Sequence, residues 1–285
     1  MGNTEKVHQL FRGASEVTKT LRLGALACDV LAAVIALIAI LVKPKDPSAW
    51  LPLAVLAIAI LASGLRAYSS AALGFSQRCR RISLRAYCLG IDVDQQTVSL
   101  LDDDAPPFVD QMTKSLRAKT MNEYYEPDPG ISPGPQRQNE LYAHSAFFTW
   151  RLLRVQAIVF LVIGLLILVA CAVLIYNLAA STTVTTDRHA WLEAVCTVIL
   201  ISFCVRSFEA SWDAYSSYSE IRSIENALLA APTGDALKDL VDSYDIERAA
   251  GANPMTLIYR FYGNKLAEKW RERRKTFPFR KAQTP

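Results

Sequence analysis

Residues 155–178, VQAIVFLVIGLLILVACAVLIYNL, carry no charge from end to end. At a rise of 1.5 Å per residue such a stretch is long enough, as a helix, to cross the ~30 Å hydrocarbon core of a bilayer. A buried core helix of that length needs protein on every side, and the rest of the chain cannot supply it. Residues 23–42 form a second run of this kind, broken only by Asp29. Two shorter apolar runs, 51–65 and 191–205, each stop at an arginine, Arg66 and Arg206. Each follows a strong run after a short polar loop, 43–49 or 179–190. If the strong run crosses, the next apolar run has to cross back. Trp50 and Trp191 open these return runs, where amphipathic rings favour the interface.

The expectation is an all-α integral membrane protein with four transmembrane helices arranged as two hairpins with long cytoplasmic helical extensions. Residues 1–90 hold the first hairpin, with spans about 23–43 and 50–68. Residues 91–138 form a cytoplasmic linker region. Residues 139–231 hold the second hairpin, with spans about 155–178 and 190–208. Residues 232–285 form C-terminal cytoplasmic helices with a basic tail. Bulk composition agrees: 52% of the 285 residues are hydrophobic, yet 20% are charged, so apolar spans are joined to sizeable wet regions. The short loops carry only Lys43, Lys45 and Arg188. The other side carries Lys19, Arg22, Arg78, Arg80, Arg81, Arg85, Arg137, Arg151 and Arg154. The positive-inside rule therefore puts both termini and the linker in the cytoplasm of a multi-pass protein. A cleaved signal peptide is not expected, because about twenty polar residues precede a span-length apolar run. Cys28, Cys171, Cys196 and Cys204 fall in spans and Cys79 and Cys88 on the reducing side, so no disulfide framework is expected.

The two halves align without gaps. Leu65-Arg66-Ala67-Tyr68 matches Val205-Arg206-Ser207-Phe208, and Phe75-Ser76 matches Tyr215-Ser216. Duplication and chance similarity of apolar sequence both remain open. Helical lead-ins are expected over 4–21 and 139–152, with continuations to about Leu89 and Leu229. In the linker, Asp102-Asp103-Asp104 before Pro106-Pro107 reads as a break, 108–121 as a short helix and 127–135 as a Pro/Gly-rich connector. Two further helices are expected over 235–249 and 254–274.

Catalytic chemistry finds little to build on. His8, His144 and His189 lie in separate segments, and no metal-ligand spacing, phosphate-cradling glycine loop or nucleophile elbow is present. The expectation is a protein that is not an enzyme, with no catalytic residues, metal or cofactor. The informative residue is Asp29, because a carboxylate inside an apolar span is costly and calls for a partner or water. Counted from the outer loop, Asp29 and Arg66 lie at similar depth on antiparallel helices and can pair. Asp29, Arg66 and Arg206 are thus candidates either for an aqueous pathway or for a structural ion pair. Ser69, Ser70, Ser202 and Ser211 are candidates for lining a pore or packing helix on helix. Lys269, Arg271, Arg273, Arg274 and Lys275, with Lys265, Arg280 and Lys281 and interleaved Trp270, Phe277 and Phe279, are expected at anionic headgroups rather than at nucleic acid.

Two tracts add a resemblance. Tyr124-Tyr125-Glu126-Pro127 leads to Glu140-Leu141-Tyr142-Ala143-His144-Ser145-Ala146-Phe147-Phe148-Thr149, just before the third span. Asn253-Pro254-Met255-Thr256-Leu257-Ile258-Tyr259 leads to Leu266 and Trp270. With the four-span layout, these resemble the four-transmembrane pore-forming effectors of bacterial anti-phage defence that are associated with cyclic-oligonucleotide synthases. The resemblance implies a non-enzymatic inner-membrane effector that oligomerises and permeabilises or depolarises the membrane on a cytoplasmic nucleotide signal. It also implies the bilayer, further copies of the chain, and a cyclic oligonucleotide or its synthase as partners. Without that resemblance, a non-conducting scaffold that recruits partners through its cytoplasmic helices, or a small transporter, fits the same layout.

Overall fold

The computed structural model describes residues 2–42, 50–116, 120–125, 127–128, 130–180, 187–230 and 232–276. Outside the described residues lie Lys43 and Lys45 with the rest of 43–49, residues 181–186, Glu126, and the tail with Phe277, Phe279, Arg280 and Lys281. The same holds for the side chains of Trp50, Arg188, His189, Trp191, Glu193 and Cys196. Among the described residues there are nine helices and no strand: α1 (Asn3–Val42), α2 (Trp50–Leu89), α3 (Gln95–Asp103), α4 (Val109–Ser115), α5 (Met121–Tyr125), α6 (Pro135–Ala180), α7 (Asp187–Leu229), α8 (Gly234–Ala250) and α9 (Thr256–Thr276).

Four helices dominate, with 40, 40, 46 and 43 residues in α1, α2, α6 and α7. At 1.5 Å per residue each reaches ~60 Å, about twice a hydrocarbon core, so each has room for both an apolar and a polar stretch. Two of them, over Leu53–Leu89 and Pro135–Val173, are long and apolar enough to cross a membrane on the described residues alone. Only 17% and 22% of their most apolar windows are buried, whereas the core helix of a soluble protein is mostly buried. α2 ends at Leu89 and α7 at Leu229, the same offset that relates Arg66 to Arg206.

The chain divides into two compact units. Unit 2 comprises Thr20–Ser69 and Ala157–Trp212 and is built from the apolar stretches of the four long helices. Its packing is inverted relative to a water-soluble bundle. Ala25, Ala32, Ala62, Cys171 and Cys204 face inward, while Leu23 (64% exposed), Leu53 (64%), Leu166 (66%) and Val198 (61%) face outward. Small residues let membrane helices approach closely, because lipid tails solvate Leu as well as protein does. Gly164 on α6 illustrates the approach: a Cβ there would stand 3.2 Å from the Phe208 ring of α7. The two helices run antiparallel, with the Ser211 hydroxyl donating to Ala157 O at 2.8 Å and the Cys204 thiol to Gly164 O at 3.5 Å.

Unit 1 comprises Met1–Lys19, Ser70–Gln156 and Asp213–Pro285. Its core is that of a soluble protein: Leu84, Tyr142, Phe147, Leu153, Ile221 and Tyr244 are fully buried. α2 closes with Gly90 in the left-handed region (φ 71°), where the Ile91 amide donates to Ala86 O at 3.0 Å and the Gly90 amide to Tyr87 O at 3.3 Å. These are the two bonds of a Schellman cap, which satisfies carbonyls that the helix end would leave orphaned. Asp92 then caps the start of α1, accepting from Thr4 N and Thr4 Oγ1, both at 2.7 Å. α3 lies where no helix was expected; Asp94 caps it by accepting from Thr97 N at 2.7 Å. The helix expected over 108–121 is instead α4 and α5, and the start of α5 carries a reciprocal capping box between Thr120 and Glu123.

Candidate functional site

Asp29 on α1, Arg66 on α2 and Arg206 on α7 meet within unit 2. Arg66 Nη1 donates to Asp29 Oδ2, and Arg206 Nη1 stands 3.7 Å from Asp29 Oδ1. Helical side chains tilt toward their own helix N-terminus. Asp29 and Arg66 sit on oppositely running helices, so their side chains lean toward one another and close a gap in depth that the backbones leave open. The carboxylate is largely buried, its side chain 14% exposed, while Arg66 (33%) and Arg206 (49%) reach the surface. The two arginines hold equivalent places in the two hairpins, and both converge on one carboxylate. α6 supplies no second acid there, since Val169 stands at the position matching Asp29.

The four serines divide. Ser69 is buried and donates to Arg66 O at 2.9 Å, and Ser211 ties α7 to α6 as described. Ser202 is exposed, with its hydroxyl donating to Val198 O at 2.8 Å, and Ser70 is exposed and belongs to unit 1. Arg273 and Arg274, expected at headgroups, turn inward instead. Arg273 Nη1 lies 3.0 Å from Glu225 Oε1, and Arg274 Nη2 lies 2.7 Å from Glu140 Oε1 with its Nε 3.7 Å from Asp128 Oδ2. All three carboxylates are buried. Glu225 also accepts from Trp150 Nε1 at 2.6 Å; its pKa is raised by burial, against the opposing pull of Trp150 and Arg273. Lys269, Arg271 and Lys275 stay exposed on α9.

Unit 1 holds a second buried charge network, which sequence reasoning missed. Arg85 Nη2 donates to Asp242 Oδ1 at 2.5 Å and to Asp245 Oδ2 at 2.7 Å, and Arg80 Nη1 lies 3.8 Å from Asp245 Oδ1. The Tyr142 hydroxyl donates to Asp245 Oδ2 at 3.1 Å, and Arg80 Nη2 donates to Ser145 Oγ at 2.7 Å. The α8–α9 turn is held by three long helices at once. Gln77 Nε2 donates to Asn253 Oδ1 at 3.3 Å, the Ala252 amide to Ser217 Oγ at 3.0 Å, and the Met255 amide to Gln156 Oε1 at 2.8 Å. The tracts that carry the family resemblance therefore meet in space, with the His144 ring stacked on Trp270 at 4.9 Å and Phe147 against the same indole at 5.3 Å.

His8 is fully buried among Phe11, Tyr124 and Tyr125, at ring separations of 5.6, 5.1 and 6.2 Å, and neither ring nitrogen has a hydrogen-bond partner. Burial, helped by the Arg12 charge, pushes its pKa down to about 3. Asp104 of the acidic run pairs with Arg78 at 2.7 Å. Among the described residues, no group of three or more His, Cys, Asp or Glu side chains could hold a metal ion. Compared with protein families, curated proteins and solved structures, the chain matches none.

Proposed function

We propose that this chain is a four-span inner-membrane effector of bacterial anti-phage defence, non-enzymatic, with both termini in the cytoplasm. On a cytoplasmic nucleotide signal it oligomerises and permeabilises or depolarises the membrane. The observation that carries the four-span part is the inverted packing of unit 2. All four of its helices present large apolar side chains outward, among them Leu31 on α1, Ile60 on α2, Leu166 on α6 and Val198 on α7. Each such side chain left in water forgoes roughly 1.5–3 kcal/mol of burial, so a bilayer is the solvent this surface suits. The effector part is supported by the resemblance in residues 140–149 and 253–270. Four helices of one chain enclose little space, so an aqueous pore requires several copies.

The test is ion flux from liposomes of anionic lipid that contain the purified chain, with and without a panel of cyclic oligonucleotides. Ligand-dependent flux is expected. Asp29→Asn is expected to change it, because the substitution leaves two guanidinium groups without their carboxylate. No flux with any ligand, from protein shown to be inserted, would move the assignment to a scaffold. That second reading is favoured by one observation: Asp29, Ser69 and Ser211 all spend their polar groups on contacts inside the bundle. A transporter is the third reading, and saturable solute uptake by the same liposomes would revive it.

A further inference from the structure

The Asp29 cluster carries one negative charge against two positive ones, and Arg206 makes no other charged contact among the described residues. A surplus guanidinium beside an apolar surface is expensive unless an anion meets it. Its side chain is half exposed, so an anion can reach it. Arg66 and Arg206 stand within the last turn of the spans read at 50–68 and 190–208, at the cytoplasmic edge, where the phosphates of the inner leaflet lie and arginine snorkels toward them.

We infer that Arg206, with Arg66, forms a binding site for an anionic phospholipid of the inner leaflet, the phosphate lying at the guanidinium groups. A planar guanidinium fork suits a phosphate oxyanion better than a lysine ammonium does. The site neutralises the charge that Asp29 leaves over, so an anionic lipid completes the seam between the two hairpins. This inference rests on the four-span reading above.

The experiment is native mass spectrometry of the full chain released from nanodiscs of equimolar phosphatidylglycerol and phosphatidylcholine. It compares the unmodified chain with Arg206→Gln, Arg206→Lys and the charge-matched Lys114→Gln. Arg206→Gln leaves the Arg66–Asp29 pair in place, so the bundle is expected to fold. The unmodified chain and Lys114→Gln should retain phosphatidylglycerol preferentially. Arg206→Gln should lower that preference about fivefold, the weight of one basic side chain near a charged surface, and Arg206→Lys should restore part of it. Equal retention of the two lipids, or a preference indifferent to Arg206→Gln, overturns the inference. Displacement of the bound lipid by millimolar inorganic phosphate would overturn the lipid assignment in favour of an aqueous anion. Alkaline carbonate extraction of the same membranes separates the two levels of failure. A chain that washes off sinks the four-span reading and this site with it, whereas a chain that stays but shows no headgroup preference sinks only the site.

Discussion

At the scale of single residues, His8 and Gly90 make the sharpest demands. His8 has a folded pKa of about 3 against an ordinary value of 6.5. The folded chain therefore binds its proton less readily than the unfolded chain does, and stability is lost as pH falls through 6.5 toward 3. The slope for one such proton is about 1.4 kcal/mol per pH unit. Glu225, whose pKa is raised by burial, acts in the opposite sense, gaining stability as pH falls through its folded value. Thermal melts of detergent-solubilised chain at pH 7, 6 and 5 should show this slope together with an equal share from His144, whose pKa burial also pushes down to about 3, and His8→Phe, which fits the same aromatic surroundings, should remove only the His8 share. Gly90→Ala meets two penalties: a positive φ costing roughly 1–2 kcal/mol, and a Cβ 2.7 Å from that of Pro133. Chemical denaturation should therefore register a loss of about 2 kcal/mol or more. The pairing of Asp29 with Arg66 was legible by counting residues from the outer loop. The arrival of Arg206 was not, because only the placement of one hairpin against the other brings it there. His8 gave no signal at all, since an isolated histidine in an amphipathic lead-in reads the same whether its face is wet or buried.

At the scale of elements, α9 shows how a charge run misleads. Read as sequence, its arginines form a basic face for anionic headgroups. In the fold, Arg273 and Arg274 answer Glu225, Glu140 and Asp128, all distant along the chain, and Trp270 is buried beside them. Removing one partner of a buried pair leaves the other charge stranded and costs about 3–5 kcal/mol. Arg274 is partly exposed, so Arg274→Ala should fall toward the lower end of that range. In that variant, hydrogen exchange should rise across Thr256–Thr276 before it rises in α6. α3 was missed because its helix is short and its start signal, Asp94 three residues ahead of Thr97, was not recognised as a cap. The long helices were legible because the charge-free run over 155–178 admits few other readings and each shorter run follows a strong one after a short polar loop.

At the scale of the whole molecule, the proposed four-span topology makes a prediction independent of any activity. A phosphatase inserted within residues 43–49 or 181–186 should be active outside the cytoplasm, and a fluorescent protein fused after Pro285 should fluoresce. If only α2 and α6 cross, the two loops and the C-terminus share one side, so an active phosphatase in either loop and a fluorescent C-terminal fusion should not occur together. The two hairpins share the C-terminal ends of α2 and α7 and the arginines Arg66 and Arg206 at one offset, so a pseudo-twofold axis is the arrangement their likeness invites. The single carboxylate of Asp29 breaks it. A ring of n such chains would present 2n hairpins but only n acids, so its rotational order would be n and never 2n. An image average of any assembly should then count chains directly, with one acidic seam per subunit marking where each begins.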